Sequence, residues 1–432
     1  MADRPPNILF FLPDQHRGDW IGAHADLPLH TPTLDRLCAG GVRFTRALTP
    51  SPLCAPARAC LASGRDYRRC GVADNGQPFP LDHPTYYRAL REAGYSVAGV
   101  GKFDLDKPTL DWNLDGSRLI REWGFTEGID NEGKLDGSIS YRRNGKPMGP
   151  YLKHLEDLGL ADAYCGEHEN RRQHLGAYTT AVPKESYCDN WLAGNGMRFL
   201  ETFPADRPWH LVVNFTGPHS PFDVTPPMRQ RWADVAFPPP HHCDIDDAEG
   251  LQRVRQNYAA MIENIDALCG QMLDIVQRRG ELDNTLVVFS SDHGEMLGDH
   301  GRFGKSTWHQ PSVGIPMVLA GPGVRQGALS EALVSLTDLN ATILDWAGCE
   351  ALPGSASRSL RPVLEDPAAS HRDHVTSALS DWRAVYDGRW KLLTRNGRAE
   401  GLYDLAADPE EGTNVLAEHP DQADRLAAMD SA

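Results

Sequence analysis

The sequence predicts an α/β fold, with a large, mostly parallel sheet sandwiched by helices and a smaller C-terminal antiparallel-sheet subdomain. Three observations predict it. Residues 7–12 and 285–290 are continuous apolar runs, as expected for strands buried on both faces. Strand-like segments alternate with helical ones through most of the chain, which is typical of a parallel sheet. From residue 382 on, short alternating runs indicate antiparallel strands.

The elements are expected in this order. Strands are predicted at residues 7–12, 96–100, 209–215, 285–290 and 316–320, and helices at 33–39, in the segment 52–65, and at 83–93, 186–203, 248–280 and 338–347. The helix at 248–280 is amphipathic, because its apolar residues recur at helical spacing. Residues 104–185 lack clear periodicity and are interpreted as an excursion that carries substrate-selecting loops. Runs at 383–386, 390–393 and 402–403 predict the small sheet, which is followed by a closing helix. We expect a catalytic domain over 1–365 and a subdomain over 366–432.

Bulk composition excludes few functions. The chain has 432 residues and a net charge of −16, which disfavours a general binder of nucleic acid or anionic membrane. Its nine cysteines are scattered without a CxxC pair, so neither a zinc ribbon nor a disulfide framework is expected, and reduced thiols are the default. The first apolar run is too short for a membrane span. We therefore expect a cytoplasmic protein, or a periplasmic one if a leader was removed.

The strongest local pattern is Cys54-Ala55-Pro56-Ala57-Arg58, which continues to Gly64-Arg65. Pro56 suits a first helical turn, so Cys54 is predicted to open a helix. A helix start offers free N–H groups and a positive dipole to an anion. A lone buried cysteine at a helix start is the ordinary alternative.

This pattern resembles the signature of the sulfatase family, whose members have an alkaline-phosphatase-like fold. The resemblance implies that a maturation enzyme oxidises Cys54 to formylglycine and that the hydrated aldehyde is the nucleophile. Arg58 would hold the modified side chain and neutralise charge. A gem-diol hydroxyl needs a metal ion to lower its pKa, so metal ligands are expected elsewhere in the chain.

Candidate ligands follow two predicted strands. Asp14 and Gln15 come after the first strand, and Asp292 and His293 come after the strand at 285–290, where ligands bind in open α/β sheets. Taken singly, each pair is an ordinary turn or helix cap. Gln15 and His293 stand where most sulfatases have Asp and Asn, so the resemblance is closest to the branch of choline-sulfatases and phosphonate monoester hydrolases. It implies one divalent cation held by these four residues and residue 54, with Ca²⁺ expected first and Mg²⁺ or Mn²⁺ as alternatives.

Three further residues match the family in order, each just beyond a predicted strand: Lys102, His219 and Lys305. The resemblance implies that the lysines stabilise the sulfate and that His219 or Lys305 protonates the departing alcohol. Alone, each would be a solvated charge or a loop residue. Asp104 departs from the pattern, because most sulfatases have histidine there. It could orient Lys102 or a substrate hydroxyl, or point away from the site.

The resemblance implies hydrolysis of a sulfate monoester, with a carbohydrate or another small organic sulfate as substrate and no nucleic-acid or membrane partner. The first alternative is a phosphonate monoester or phosphodiester hydrolase with the same nucleophile, although that branch lacks the Gly-Lys segment. A metal-dependent phosphatase and a non-catalytic binding protein on this fold are further alternatives. A homo-oligomer is expected from the base rate alone. Several aromatic and polar residues of the excursion could stack on sugar rings or bind hydroxyls, and packing within loops is the alternative role. They are Trp112, Trp123, Tyr141, Tyr151, Trp191, Glu167, His168, Arg171 and Arg172.

Overall fold

The computed structural model describes residues 4–24, 27–168 and 174–431. Its strands, in chain order, are β1 (Asn7–Phe11), β2 (Gly41–Leu48), β3 (Ser96–Gly101), β4 (Glu127–Asp130), β5 (Ala177–Thr179), β6 (Trp209–Asn214), β7 (Phe222–Val224), β8 (Thr285–Ser290), β9 (Met317–Ala320), β10 (Ala328–Ser335), β11 (Val375–Leu379), β12 (Trp382–Tyr386), β13 (Trp390–Arg395) and β14 (Arg398–Asp404).

The α-helices of the same residues are α1 (Pro32–Gly40), α2 (Cys54–Ser63), α3 (Tyr86–Glu92), α4 (Ile120–Trp123), α5 (Lys134–Asn144), α6 (Pro150–Asp157), α7 (Ala161–Glu167), α8 (Cys188–Thr202), α9 (Pro226–Trp232), α10 (Ala248–Arg278), α11 (Gln310–Val313), α12 (Asp338–Trp346), α13 (Arg361–Glu365) and α14 (Pro420–Ser431).

The main sheet has the strand order β10-β2-β9-β8-β1-β6-β3-β4. All adjacent pairs are parallel except those of β9, which runs antiparallel to β2 and β8. The predicted large, mostly parallel sheet is confirmed. β1 lies between β8 and β6, so the polar residues that follow these three strands meet at one edge.

Helices cover both faces of this sheet, which explains the continuous apolar runs. Ile8 and Phe10 point to the face covered by α2, α3 and α12, whereas Leu9 and Phe11 point to the face covered by α8 and α10. Because neither face of β1 meets water, all five of its residues are buried.

Several elements escaped the sequence analysis. β2 was missed because Arg43, Thr45 and Arg46 interrupt its apolar pattern. The segment 104–185 is not wholly an excursion, since residues 127–130 return to the main sheet as its edge strand β4. The helix predicted at 83–93 begins later, at Tyr86, because the Thr85 side chain accepts a hydrogen bond from the Arg88 N–H and caps it.

The second sheet is antiparallel, in the order β11-β12-β13-β14, and α14 packs against it. It also begins earlier than predicted, at Val375. The boundary between residues 365 and 366 stays a prediction. All nine cysteines are free, as expected. Among the described helices, none has the length and apolar character needed to cross a bilayer.

Candidate active site

The carboxyl ends of β1 and β8 bring two acidic residues together. Phe11 pairs with Phe289, so Asp14 and Asp292 emerge side by side although they are far apart in the sequence. Both carboxylates are fully buried, as is His293. Gln15 links the two turns. Its backbone N–H donates to Asp292 Oδ1 at 3.0 Å, and its left-handed conformation, with φ of +68°, is unusual for a residue with a side chain.

Cys54 opens α2 directly beneath this edge, as predicted, and is 1% exposed. Its Sγ lies 3.1 Å from His293 Nε2, 3.6 Å from Lys102 Nζ and 3.8 Å from Asp14 Oδ1. Burial and the Asp14 carboxylate raise the pKa of the thiol, but Lys102, Lys305 and His293 outweigh them and bring it to about 6. The helix start therefore holds a side chain that favours negative charge.

Four side chains are placed so that they could bind one metal ion: Asp14, Cys54, Asp292 and His293. One ligand atom from each of these four buried residues lies within 4.8 Å of all the others. Two carboxylates and an imidazole are a donor set that suits Ca²⁺, Mg²⁺ or Mn²⁺. Gln15 is adjacent: its side-chain oxygen, which has two lone pairs, accepts a hydrogen bond from Lys305 Nζ at 2.5 Å, and its amide donates to Glu295.

Two buried cations neutralise these carboxylates. Arg58 Nε donates to Asp292 Oδ2 at 2.9 Å, and its NH1 donates to Asn214 Oδ1 at 3.2 Å. The Lys102 ammonium donates to Asp14. Burial disfavours the charged Asp14, but Lys102 and the other nearby cations outweigh burial and hold the pKa of this carboxyl well below its usual range.

Backbone geometry sets the position of Lys102. Gly101 has φ of +109°, and a Cβ added there would lie 1.9 Å from the backbone oxygen of Asn214. Only glycine therefore permits this close approach of β3 to the end of β6. Lys102 follows directly, and its Nζ lies 3.6 Å from Cys54 Sγ.

Asp104 faces Lys102 rather than pointing away. Its Oδ2 lies 3.1 Å from Lys102 Nζ and accepts a hydrogen bond from Lys107 Nζ at 2.9 Å. Burial raises the pKa of Asp104, but the two lysines outweigh this and lower it, so the side chain is a carboxylate. Of the roles considered for Asp104, orientation of Lys102 agrees with these contacts.

His219 and Lys305 form a pair at the outer end of the site, where both are half-buried. Lys305 Nζ donates to His219 Nε2 at 2.7 Å. Burial and the Lys305 charge hold the pKa of His219 well below its usual value, so the imidazole is neutral and accepts this bond.

Three residues at this site were missed by the sequence analysis. Asn214, at the end of β6, contacts Arg58, and Asn75 accepts a hydrogen bond from the Ala55 N–H at 3.1 Å. Glu295 accepts from the Gln15 amide and from the backbone N–H groups of Leu297 and Gly304. Asn214 lies near the end of the strand predicted at 209–215, and Glu295 follows the strand predicted at 285–290, which was the available signal.

Most of the residues considered for substrate stacking are engaged in packing. Trp112, Trp123 and Tyr151 are 4%, 1% and 1% exposed, and Trp191 packs on Tyr151. His168 is buried against Tyr164, and Glu167 accepts hydrogen bonds from Thr180 and Ala181. Tyr141 donates to Asp162. Arg171 and Arg172 lie outside the described residues.

Comparison with known proteins agrees with this architecture. The sulfatase family model matches residues 6–349, and a model described as N-sulphoglucosamine sulphohydrolase, C-terminal, matches residues 298–429. A choline-sulfatase of Rhizobium meliloti (strain 1021) is 30% identical over 474 aligned residues that cover 100% of this chain and 86% of the relative. An arylsulfatase of Clostridium perfringens (strain 13 / Type A) is 26% identical, covering 95% of this chain and 90% of the relative.

Among solved structures, the phosphonate monoester hydrolase of Agrobacterium radiobacter superposes with a TM-score of 0.81 and is 25% identical, covering 99% of this chain and 94% of that one. The fold and the relatives define a hydrolase of the alkaline-phosphatase-like superfamily. Within it, the chain belongs to the sulfatase family and is a sulfuric ester hydrolase, as predicted.

Proposed function

We propose that this enzyme hydrolyses sulfate monoesters with residue 54, oxidised from cysteine to formylglycine, as its nucleophile. The observation that carries the proposal is the convergence of the Cys54 side chain with two carboxylates, an imidazole and Lys102 within 4 Å of its Sγ or of each other. After oxidation and hydration, a hydroxyl of residue 54 would take the place of this thiol.

We propose that Asp14, Asp292, His293 and residue 54 hold one divalent cation, with Gln15 beside them as a further oxygen ligand. Ca²⁺ is the first expectation, and Mg²⁺ and Mn²⁺ are the alternatives. When bound, the cation would lower the pKa of the attacking hydroxyl and offset charge on the sulfate.

The chain's own residues supply the remaining steps. One hydroxyl of residue 54 releases its proton to solvent, and its oxygen bonds to sulfur while the bond between sulfur and the alcohol oxygen breaks. Arg58, Lys102 and Lys305 stabilise the charge on the sulfuryl oxygens. The departing oxygen takes its proton from Lys305, whose hydrogen-bond acceptor is His219.

The second half of the reaction returns residue 54 to its starting state. Its remaining hydroxyl gives a proton to the His219–Lys305 pair, the bond between its carbon and the sulfate oxygen breaks, the aldehyde forms, and a water molecule adds to it to restore the hydrate. A serine or a cysteine has no second hydroxyl on the same carbon and cannot release sulfate in this way. This difference makes the nucleophile testable.

The test is the variant Cys54→Ser with Cys60→Ser as its matched control, since Cys60 is buried in the same helix and its thiol interacts with Cys70. Enzyme produced with a formylglycine-generating maturation system is expected to carry an aldehyde at residue 54 by mass spectrometry. Cys54→Ser should lose turnover or trap a sulfated protein, while Cys60→Ser should remain active. Undiminished multiple turnover by Cys54→Ser would refute the proposal.

A phosphonate monoester hydrolase with the same nucleophile is the second candidate, favoured by the structural similarity described above. The buried Lys102 ammonium beside Cys54 supports sulfate, since the phosphonate branch replaces the Gly-Lys segment. Turnover of an aryl sulfate and of the matching aryl phosphonate by one preparation separates the two. The saccharide sulfate predicted from the sequence belongs in the same panel of substrates.

A further inference from the structure

A cavity of about 250 Å³ adjoins the outer end of the active site. Its apolar walls come from Leu135, Leu175, Pro221, Phe222 and Phe303. None of these side chains takes part in the proposed chemistry. We call this space the leaving-group cavity, for the reasons that follow.

Three chain segments that line the cavity connect it to His219 and Lys305, the proposed proton-donating pair. Ser220, Pro221 and Phe222 directly follow His219, and Phe303 and Gly304 directly precede Lys305. Glu295, which also lines the cavity, contacts the Gln15 side chain that accepts from Lys305. A group held at His219 and Lys305 therefore has this cavity as its immediate neighbour.

Burial shows which part of a substrate would face the cavity. Cys54 is 1% exposed and Lys102 4% exposed at the inner end, whereas His219 and Lys305 are half-buried at the opening. A displacement at sulfur places the departing oxygen opposite the attacking one. With residue 54 at the inner end, the alcohol leaves toward His219 and Lys305, and its carbon skeleton extends beyond them.

The lining favours an apolar skeleton. Its polar side chains are Ser220 and Glu295, and the Glu295 carboxylate already accepts hydrogen bonds from Gln15, Leu297 and Gly304. A sugar would bring several hydroxyls to a surface with few groups left to bind them, which costs free energy. An engineered apolar cavity of about 150 Å³ binds benzene, so this volume accommodates a phenyl ring or a medium-length alkyl chain.

We propose that the leaving-group cavity receives the apolar body of the alcohol, so that aryl and medium-chain alkyl sulfates are preferred over saccharide sulfates. This inference rests on the proposed function, since it assigns the substrate class of the same site. Leu175 and Phe303 are the specificity-determining residues best suited to a test, because both are half-buried at the cavity wall.

The experiment measures kcat/KM for n-alkyl sulfates from ethyl to octyl, together with a saccharide sulfate. Lengthening the chain leaves the acidity of the alcohol nearly constant, so differences report binding. For the unaltered enzyme we expect kcat/KM to rise by up to about fourfold per methylene until the cavity is filled. A flat dependence on chain length, or a preference for the saccharide sulfate over hexyl sulfate, would overturn the inference.

Two variants locate the effect. Phe303→Ser and Leu175→Ser should each reduce the gain per methylene while leaving ethyl sulfate turnover and inhibition by inorganic sulfate within about twofold. Arg302→Ala, an exposed neighbour outside the cavity, should retain the full gain. An unchanged gain in both cavity variants contradicts the assignment. Failure of the proposed function is distinct, because the unaltered enzyme would then hydrolyse none of these esters.

Discussion

Replacing Asp104 by asparagine should strengthen the binding of inorganic sulfate, the expected product. Asp104 places a buried carboxylate 3.1 Å from Lys102 Nζ and 2.9 Å from Lys107 Nζ. Each lysine has a second acidic partner, Asp14 for Lys102 and Asp136 for Lys107. Asp104→Asn therefore removes one negative charge without leaving either ammonium unpaired.

The magnitude follows from the position of Lys102. If its ammonium contacts the sulfate at about 3 Å on the side away from Asp104, the carboxylate and the nearest sulfate charge lie about 6 Å apart. At an effective dielectric constant of about 20, two unit charges at this separation repel by about 2.8 kcal/mol. Screening by water that enters with the substrate reduces this figure. Half of it corresponds to about a tenfold decrease in the inhibition constant for sulfate.

The assay is competitive inhibition of aryl sulfate hydrolysis by sulfate at constant ionic strength. Asp136→Asn is the matched control, since it removes the outer partner of Lys107 and leaves Asp104 in place. It should change the inhibition constant by less than about twofold. Weaker inhibition of Asp104→Asn by sulfate would show that the carboxylate is needed mainly to orient Lys102, and the electrostatic reasoning would fail.

Three further outcomes are expected. Glu411→Gln leaves Lys391, which is fully buried, without its carboxylate and should lower the free energy of unfolding in urea by about 3–5 kcal/mol; full stability would contradict this role of the pair. Burial lowers the pKa of His210 to about 3, whereas an unfolded histidine titrates near 6.5. The unfolded state alone binds this proton between those values, so His210 should reduce stability by about 2 kcal/mol from pH 7 to pH 5, and His210→Phe should lack that contribution. Chelation of divalent cations should abolish turnover and lower the melting temperature. A cation at 100 times its dissociation constant adds about 2.7 kcal/mol to the free energy of unfolding, and this contribution is lost on chelation. Asp292→Ala should show no change in melting temperature on chelation.

Strands that are completely buried could be predicted from the sequence, whereas strands that are only partly buried were missed. β1, β6 and β8 are buried along their whole lengths, and their apolar runs identified them. β10 alternates irregularly between buried and exposed residues and was missed, as was β4 at the opposite edge. An edge strand is covered on fewer sides, so its sequence carries a weaker apolar pattern.

For the site, the sequence predicts where the backbone places the residues but not the direction of every side chain. Asp14, Asp292 and His293 could be placed because the carboxyl ends of strands meet at one edge. The direction of the Gln15 amide could not be predicted, since it depends on Glu295, whose own partners are backbone N–H groups of the loop that follows it. Strand order therefore predicts which residues assemble, whereas hydrogen bonds formed only after folding decide where each side chain points.

The depth of Cys54 constrains the timing of any oxidation of its thiol. With 1% of the residue exposed beneath Asp14 and His293, a second protein has no route to it once β1 and β8 are paired. β8 begins more than 200 residues after Cys54, so during synthesis the cysteine emerges long before its cover does. A modifying enzyme must therefore act on the growing or still unfolded chain. In a polypeptide that folds first, Cys54 can no longer be modified by a second protein.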